Sequence, residues 1–418
     1  MSGERIYAAY KIESAGSLDH AAEVIAGEQS TGTFVAVPGE TDELKVRHRA
    51  RVESVIEWGT HPTPSLPGSL NAASYRRGQV TISFPYDNVG PSIPNLLATM
   101  AGNLYELKEL SGIRLIDVIL PAGFGEKYPG PQFGVAGTRR ICDVYDRPII
   151  GTIIKPSVGL KAVELKDLVS RLAEAGIDFI KDDELNADPP YFRLADRVPV
   201  VLEAIDRAAQ HTGKRVMYAV NITGDLDEML ERHDLVAAHG GNAVMVSINS
   251  VGLAALTHLR RHSLLPIHGH RNQWGMMTRF PWLGMDFRVY QKLCRLAGVD
   301  HLHTNGLRNK FYESDASVVD SVTALLEPMF GDDTAMPVLS SGQWAGLAEP
   351  TYQALNTVDV MHLAGGGILA HPGGIQDGVV SMRQGWEAAT RQIPVEQYAA
   401  AHDELKAALA RFGDLRHD

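Results

Sequence analysis

The chain has 418 residues, a length that suits two domains better than a single core. Its hydrophobic content of 44% and charged content of 21% are typical of a folded globular protein and argue against a disordered one. The net charge of −11 argues against nucleic acid or an anionic membrane surface as a partner, because both bind basic surfaces.

Cysteine usage and the first residues indicate a cytoplasmic protein. The two cysteines, Cys142 and Cys294, form no CxxC pair and no zinc-type spacing. The N-terminus lacks the basic and then apolar segments of a signal peptide, and no apolar run approaches the ~18 residues of a membrane helix. We therefore expect a reduced, cytoplasmic protein with no membrane partner.

Residues 1–130 predict an N-terminal α+β domain of the ferredoxin-like kind, with an antiparallel sheet. Strand-like patterns cover residues 6–10, 32–37, 45–58 and 79–84. Helical periodicity covers residues 18–26 and 94–110. The Gly- and Pro-rich segment 121–137 then predicts a linker.

Residues 131–393 change to a regular alternation of strands and helices. The eight β-rich runs are 148–155, 178–181, 215–221, 243–248, 265–271, 301–304, 336–341 and 359–364. Amphipathic stretches follow at 163–175, 197–211, 226–239, 286–297, 317–330 and 375–390. This pattern predicts an α/β fold, a (β/α)8 TIM barrel; an open doubly wound sheet is the alternative, although no GxGxxG follows the first strand. A helical tail, residues 394–418, completes the chain.

Six predicted strands end in polar residues or glycines. In a barrel of parallel strands, these ends meet at one mouth and carry the chemistry. In chain order they are Lys155; Lys181, Asp183 and Glu184; His270 and Arg271; His303; Ser340 and Gly342; Gly366 and Gly367.

The run from Lys181 to Glu184 is a candidate metal site. Alternate side chains of a strand share a face, so Lys181 and Asp183 point the same way, with Glu184 close behind. Asp182 faces the other way, and we expect it to be structural. Such a run is also typical of a solvated loop, but its place among five other polar strand ends favours a hard cation.

Two glycine-containing loops, 340–342 and 365–367, are candidate phosphate sites. Glycines let backbone N–H groups approach an anion, and a following helix adds its positive end; a tight turn is the alternative interpretation. The histidines two residues before His270 and His303 can be packing residues. His270 and His303 lie nearer the strand ends and are the better catalytic candidates.

Taken together, these residues resemble the large subunit of RuBisCO. The motifs are GTIIKP at 151–156, FIKDDE at 179–184, HR at 270–271, DHLH at 300–303, SSG at 340–342 and GGGxxxHP at 365–372. EQSTGT at 28–33 and GN at 102–103 extend the resemblance into the first domain. Order, spacing and strand-end placement agree over nearly the whole chain.

The resemblance implies a metal centre and a proton-transfer group. Lys181 matches the lysine that CO2 carbamylates, and with Asp183 and Glu184 it would hold Mg²⁺. Lys155 matches the lysine that moves a proton near the substrate carbon, and Lys310 falls at the distance of the lysine on the mobile lid. These lysines and His270 are the implied catalytic residues.

The resemblance also implies how a phosphorylated sugar is bound. His270 and His303 would orient hydroxyls and one phosphate, with Arg271 on that phosphate. The substrate and the other phosphate would contact Thr33, Ser340, Gly342, Gly366 and Gly367. Glu28, Thr33 and Asn103 match residues that a second subunit supplies, which implies a homodimer with shared active sites.

Departures from the RuBisCO pattern indicate a non-carboxylating, RuBisCO-like protein. Carboxylases have a second lysine where Ser157 stands, and their lid has small residues where residues 304–313 are bulky and charged. The residues for metal binding and enolisation are retained, whereas the residues that carboxylases use to handle CO2 and to bind a second phosphate are altered.

We therefore expect a Mg²⁺-dependent lyase or hydrolase that acts through an enolate on a phosphorylated keto sugar acid. Decarboxylation or C–C cleavage of 3-oxo-isoapionate 4-phosphate is the leading example. The alternatives are a 5-methylthioribulose 1-phosphate isomerase or diketo-phosphate enolase of methionine salvage, a true ribulose-bisphosphate carboxylase, and a non-catalytic ligand-binding regulator. Enolase-type relatives have a lysine where Asn103 stands, and the retained Lys155 and Lys181 argue against a pure binder.

Overall fold

The structure is a computed structural model that describes residues 3–32 and 37–414. Its first elements surround an antiparallel sheet. They are β1 (Arg5–Ser14), α1 (Leu18–Glu28), α2 (Asp42–His48), β2 (Arg51–His61), β3 (Tyr75–Pro85), α3 (Tyr86–Val89), α4 (Ile93–Met100), a 3₁₀ turn (Leu104–Glu106), β4 (Leu110–Ile119) and α5 (Gly123–Lys127).

The first sheet has the strand order β4-β1-β3-β2, with every neighbouring pair antiparallel. Helices α1 and α4 connect these strands in a β-α-β-β-α-β sequence, so the predicted ferredoxin-like arrangement is confirmed. Alternate residues of β1, such as Ile6, Ala8 and Tyr10, are buried. The Tyr10 hydroxyl donates to the Met100 carbonyl oxygen at 2.7 Å, which ties the end of α4 to the sheet.

The remaining elements alternate between helix and strand. They are α6 (Gly134–Cys142), β5 (Ile149–Ile153), α7 (Ala162–Glu174), β6 (Phe179–Lys181), α8 (Leu194–Thr212), β7 (Met217–Asn221), α9 (Leu226–Ala238), β8 (Ala243–Ser247), α10 (Ile248–His262), β9 (Ile267–His270), α11 (Trp274–Thr278), β10 (Leu283–Met285), α12 (Phe287–Ala297), β11 (His301–His303), α13 (Asp315–Leu326), β12 (Met336–Leu339), a 3₁₀ turn (Ala345–Leu347), α14 (Ala348–Leu355), β13 (Met361–Leu363), α15 (Gly366–Leu369), α16 (Ile375–Thr390), α17 (Val395–Ala399) and α18 (Asp403–Phe412).

Eight of these strands close into a parallel barrel in the order β5-β6-β7-β8-β9-β11-β12-β13. β13 pairs with β5, for example Leu363 with Gly151, so the sheet has no edge. The predicted (β/α)8 barrel is therefore confirmed, and the open doubly wound alternative is wrong.

Two buried aspartates organise the amino-terminal ends of the barrel strands. Asp178 precedes β6 and binds the Arg147 guanidinium at 2.5 Å. Asp300 precedes β11, pairs with Arg260 at 2.8 Å and accepts a hydrogen bond from the Ile267 backbone N–H. These charges are paired where the strands begin, which leaves the opposite ends for the polar residues described below.

The chain separates into two compact units. One consists of Met1–Tyr128 with Gln273–Leu296, and the other of Pro129–Asn272 with Ala297–Asp418. The first unit therefore includes β10, which extends the first sheet as a fifth strand parallel to β4.

Local signals misassigned part of the first unit. Residues 45–58 were expected to be a strand, but their first residues belong to α2 and β2 begins only at Arg51. The Thr41 hydroxyl caps α2 by accepting from the Leu44 N–H at 3.2 Å, and Asp42 and Glu43 occupy the first turn. An N-cap and early acidic residues favour helix there.

The helix expected at 94–110 ends at Met100, and β4 follows without having been predicted. β4 forms because it pairs with β1 and buries residues such as Ile113 and Leu115, contacts that a helical period does not reveal. The expected linker at 121–137 contains α5 and the start of α6. The strand expected at 32–37 lies mostly outside the described residues.

The predicted helical tail is present as α17 and α18. The Gln384 side chain of α16 donates to the Glu404 carboxylate at 2.7 Å and accepts from the Leu405 N–H at 3.0 Å. Leu405 and Phe412 are buried. Across the described ranges, none of the helices combines the length and the apolar composition needed to cross a bilayer.

Candidate active site

Two lysines and two carboxylates meet where β5 and β6 end. Lys155 Nζ lies 2.6 Å from Asp183 Oδ2. Lys181, the last residue of β6, is 1% exposed, and its Nζ lies 3.3 Å from Glu184 Oε2. Burial lowers the pKa of Lys181, and the negative charges of Glu184 and Asp183 oppose this shift. The residues predicted from two separate strands are thus brought together.

Asn221, at the end of β7, holds the loop that carries the carboxylates. Its Nδ2 donates to the backbone carbonyls of Asp183 at 3.1 Å and of Glu184 at 3.3 Å. Beneath it, the Asp182 carboxylate accepts from the Tyr218 hydroxyl at 2.6 Å and from the Asn221 N–H at 2.9 Å. Asp182 is therefore structural, as expected. Asn221 was not predicted, although its place as the last residue of a barrel strand was a signal.

The donor set of this cluster fits a hard cation. Asp183 and Glu184 offer carboxylate oxygens, which Mg²⁺ prefers, whereas the Lys181 amine offers no oxygen until it reacts with CO2. Within the described ranges, three His, Cys, Asp or Glu ligand atoms come within 4.8 Å of one another only at His233, Asp234 and His262. The barrel mouth therefore has two carboxylates and an amine, and a carbamate on the amine would add the oxygen ligand that the set lacks.

Glu184 connects the cluster to β9. Its Oε2 lies 3.4 Å from His270 Nε2, and the His270 ring is 4.4 Å from that of His303. Burial raises the pKa of Glu184, but the opposing effect of His270 and Lys181 is larger and lowers this pKa to about 2. Burial and the Lys181 charge lower the pKa of His270 to about 4. At neutral pH, Glu184 is therefore a carboxylate and His270 a neutral imidazole.

A chain of buried histidines runs from the mouth into the barrel. His303 Nε2 lies 2.7 Å from His268 Nε2, and His268 Nδ1 lies 3.4 Å from His301 Nδ1. The inner end is His301 Nε2, 2.9 Å from the Thr138 hydroxyl. The outer end is His303 Nδ1, 3.2 Å from the Ser340 hydroxyl. Burial lowers the pKa of all three rings, for His301 to about 3.

We expect these rings to make the protein less stable in mild acid. In the unfolded chain each histidine takes up a proton near pH 6.5, whereas in the fold it stays neutral to much lower pH. Their contribution is constant above pH 6.5, and below it the free energy of unfolding falls by about 1.4 kcal/mol per pH unit for each ring. The rings are His268, His301, His303 and, with a pKa lowered by burial to about 3, His362.

Urea unfolding at pH 7.5, 6.5 and 5.5 measures this dependence. His301→Gln and His362→Gln should each reduce the slope below pH 6.5 by about the equivalent of one proton, because each removes one ring that is neutral in the fold and protonated in the unfolded chain. A slope that neither substitution changes would contradict the expectation.

Arg271 is held by a carboxylate of the segment after β11. Its guanidinium lies 2.9 Å from Glu313 Oε2, and the two side chains are only 9% and 10% exposed. The same Oε2 accepts from Asn305 at 2.6 Å, while Oε1 accepts from the Ser317 hydroxyl at 2.9 Å. Glu313 was not predicted, because this pairing depends on the path of an irregular loop that no sequence spacing reveals.

Lys310, the expected lid lysine, is exposed. Its Nζ lies 5.3 Å from the Phe311 ring centroid. Among the described residues, its amine makes no hydrogen bond or ion pair. The structure therefore does not bring Lys310 to the lysine and carboxylate cluster.

The loops after β12 and β13 lie against each other. A Cβ on Gly367 would lie 2.5 Å from the Gln343 carbonyl oxygen, so only glycine fits there. Gly342 has a φ of +78°, and a Cβ on Gly366 would contact nothing within 4 Å. The N–H groups of Gly366 and Gly367 donate to no described residue. Both therefore remain as donors for a bound anion.

Two of the three site residues predicted in the first domain, Glu28 and Asn103, lie in the first unit. Glu28 ends α1 and is exposed, and Asn103 directly precedes the 3₁₀ turn. A Cβ on Gly102 would lie 2.7 Å from the Gln29 side-chain amide, so the end of α1 and this turn are neighbours. Thr33 lies outside the described residues.

The barrel mouth can bind an anionic oxygen and move a proton. Lys155 has a half-exposed amine beside a buried carboxylate, which suits a proton donor that must reach a substrate. His270 and His303 supply neutral imidazoles that can orient hydroxyl groups.

Family models match nearly the whole chain. One, described as ribulose bisphosphate carboxylase large chain, catalytic domain, matches residues 134–412. A second, described as the N-terminal domain of the same large chain, matches residues 2–124.

Individual relatives cover the full length. The chain is 50% identical over 408 residues to a 3-oxo-isoapionate-4-phosphate transcarboxylase/hydrolase of Xanthobacter autotrophicus, covering 97% of this chain and 99% of that one. It is 47% identical to a 3-oxo-isoapionate-4-phosphate decarboxylase of Rhizobium etli, covering 97% and 98%. Among solved structures, a rubisco-like protein from Burkholderia fungorum is 45% identical, with a TM-score of 0.91 over 97% of this chain and 99% of that one.

Proposed function

The chain belongs to the RuBisCO large-chain family as a RuBisCO-like, non-carboxylating enzyme, and we propose that it cleaves a carbon–carbon bond of 3-oxo-isoapionate 4-phosphate. The observation that carries the proposal is the contact between Lys155 and Asp183 beside the buried Lys181. In this arrangement Lys155 would be a proton donor beside the residues that would hold a hard cation. The names of the two relatives supply the substrate.

Lys181, Asp183 and Glu184 would hold Mg²⁺, with Lys181 carbamylated by CO2. When bound, the cation supplies Lewis-acid stabilisation of negative charge on a substrate oxygen. The burial of Lys181 supports this assignment, because burial lowers the pKa of its amine and the neutral amine is the form that reacts with CO2. Asn221 would keep both carboxylates in place through their backbone carbonyls.

Lys155 would deliver the proton that completes the reaction. When a β-keto acid loses CO2, the bond to the carboxylate breaks and its electron pair passes to the keto oxygen, which gives an enolate. The enolate carbon then takes a proton from Lys155, while the neutral His270 orients a substrate hydroxyl. In the hydrolytic alternative, water adds to the keto carbon and two carboxylic acids form without CO2.

The phosphate would be bound by the N–H groups of Gly366 and Gly367, together with Thr33. Ser340 and Gly342 would line the sugar. Glu28, Thr33 and Asn103 would reach the site from a second subunit, so that the enzyme acts as a homodimer with shared active sites.

We expect the purified protein to consume 3-oxo-isoapionate 4-phosphate in the presence of Mg²⁺ and bicarbonate. A substrate labelled in its carboxyl carbon distinguishes the two reactions: decarboxylation releases labelled CO2 and leaves a shorter ketose phosphate, whereas hydrolysis gives two acids and no CO2. Neither 5-methylthioribulose 1-phosphate nor ribulose 1,5-bisphosphate should turn over. Absence of both product sets would overturn the proposal, and turnover of the methylthio sugar would favour the isomerase.

A further inference from the structure

Two residues at the ends of β9 and β11, Arg271 and His303, occupy the positions where the sequence implies a phosphate. A phosphate at this place would need uncompensated positive charge and N–H donors. The contacts of Arg271 and His303 show whether either residue can offer a phosphate such charge or such donors.

The charge of Arg271 is already compensated inside the protein. Glu313 lies 2.9 Å away and is itself fixed by hydrogen bonds from Asn305 and Ser317. The pair is almost fully enclosed, so the Glu313 carboxylate cannot turn into solvent without breaking these bonds. A phosphate approaching Arg271 would meet this negative charge in a poorly solvated place.

The direction of the hydrogen bonds in the histidine chain follows from its inner end. The Thr138 hydroxyl donates to the Gly134 carbonyl oxygen, so its oxygen accepts from His301 Nε2–H. A neutral ring has one N–H, so His301 Nδ1 accepts from His268 Nδ1–H, and His268 Nε2 accepts from His303 Nε2–H.

His303 therefore presents a lone pair, not a proton, at the mouth. Its single N–H is used inward, and Nδ1 accepts from the Ser340 hydroxyl. Ser340 has a second acceptor, the Thr304 carbonyl oxygen at 3.2 Å. When a substrate hydroxyl donates to His303 Nδ1, the Ser340 hydroxyl can turn to this carbonyl. Burial keeps the His303 pKa far below neutrality, so the ring gains no second proton.

We propose that this end of the mouth binds an uncharged, hydroxyl-bearing part of the substrate and that the Arg271–Glu313 pair excludes a second phosphate from it. The enzyme therefore accepts sugar monophosphates and discriminates against bisphosphates. This inference deepens the proposed function and rests on it for the sugar phosphate class of the ligand.

Calorimetric binding of ribulose 1,5-bisphosphate and ribulose 5-phosphate, with Mg²⁺ and bicarbonate present, tests the exclusion. The wild type should bind ribulose 1,5-bisphosphate at least about tenfold more weakly than ribulose 5-phosphate. Glu313→Gln removes the charge but keeps the shape, so it should strengthen bisphosphate binding at least about tenfold and leave the monophosphate within threefold. A wild type that binds the bisphosphate within about threefold of the monophosphate, or more tightly, would overturn the proposal. A Glu313→Gln variant with an unchanged binding ratio, or with no bisphosphate binding, would also overturn it.

Asp315→Asn is the matched control. Asp315 lies two residues from Glu313 and accepts from the Arg308 N–H at 2.6 Å, so this change removes a charge from the same segment without touching Arg271. Its binding ratio should equal that of the wild type. A second test uses ¹⁵N-histidine spectra between pH 6 and 8, in which the His303 Nδ1 signal is identified as one that disappears in His303→Gln. In the wild type this signal should have the chemical shift of an unprotonated nitrogen. The chemical shift of a protonated nitrogen would exclude the acceptor role of His303 Nδ1. Because none of these readouts uses turnover, a failure of the proposed reaction leaves them interpretable.

Discussion

Replacing Lys181 with alanine should reduce Mg²⁺-dependent turnover by at least about 10³-fold, equivalent to about 4 kcal/mol of transition-state stabilisation. The substitution removes the amine that would carry the carbamate. It also leaves Glu184 without the cation 3.3 Å from its carboxylate. The site then has two carboxylates and no third oxygen donor, so Mg²⁺ affinity should fall together with turnover.

Because Lys181 is buried, alanine would also leave a cavity. Lys181→Met keeps most of the side-chain volume and should lose activity to the same extent. Lys166→Ala is the matched control, since Lys166 is a partly exposed lysine on α7 that pairs with Glu203 at 2.8 Å. Calorimetric titration with Mg²⁺, with and without bicarbonate, separates metal binding from chemistry. Full activity of both Lys181 variants would refute the carbamate.

Lys155→Ala should lower kcat by about 10²- to 10⁴-fold, the range typical of a lost general acid, while KM changes much less. The Lys155 side chain is 45% exposed, so its removal leaves little packing defect. The contact with Asp183 shows that its amine reaches the carboxylate cluster.

Steady-state kinetics with the proposed substrate measures the Lys155 effect, and Lys161→Ala serves as a control lysine in the following loop. Added ethylamine should restore part of kcat in Lys155→Ala, because that variant lacks only a proton donor. It should not restore kcat in Lys181→Ala, because that variant lacks the amine that would carry the carbamate. If Lys155→Ala keeps its kcat and only melts at a lower temperature, Lys155 is structural.

The barrel could be predicted from the sequence because its signals are local. Each strand is a short apolar run, and the following helix carries a 3.6-residue period. Parallel strands also bring their carboxyl ends to one mouth, which is why the proximity of Lys155, Asp183 and His270 could be expected before the structure. The first unit was harder to predict from the sequence. Its strand β4 forms through pairing with β1, and the helical state of α2 depends on its N-cap.

The missed residues at the mouth share one property. Glu313 acts through the path of an irregular loop, and Asn221 acts through backbone carbonyls of another strand's loop. The Glu313 contact leaves no periodic or spacing signal, and the only signal for Asn221 was its place at the end of a barrel strand. The RuBisCO resemblance assigned Arg271 to a phosphate because it compares residues at matched positions, and such a comparison does not show which carboxylate, here Glu313, the arginine contacts.

The hydrogen-bond direction in the histidine chain has an electrostatic consequence. Each of the three imidazoles has its N–H directed toward Thr138 and its lone pair toward the mouth, so their dipoles share one direction along the chain and reinforce one another. The barrel interior thus contains a column of aligned dipoles with its negative end at Ser340, without any net charge. Such a column repels an anion at that end and favours a cation nearby, through a field that changes of pH in the neutral range do not alter.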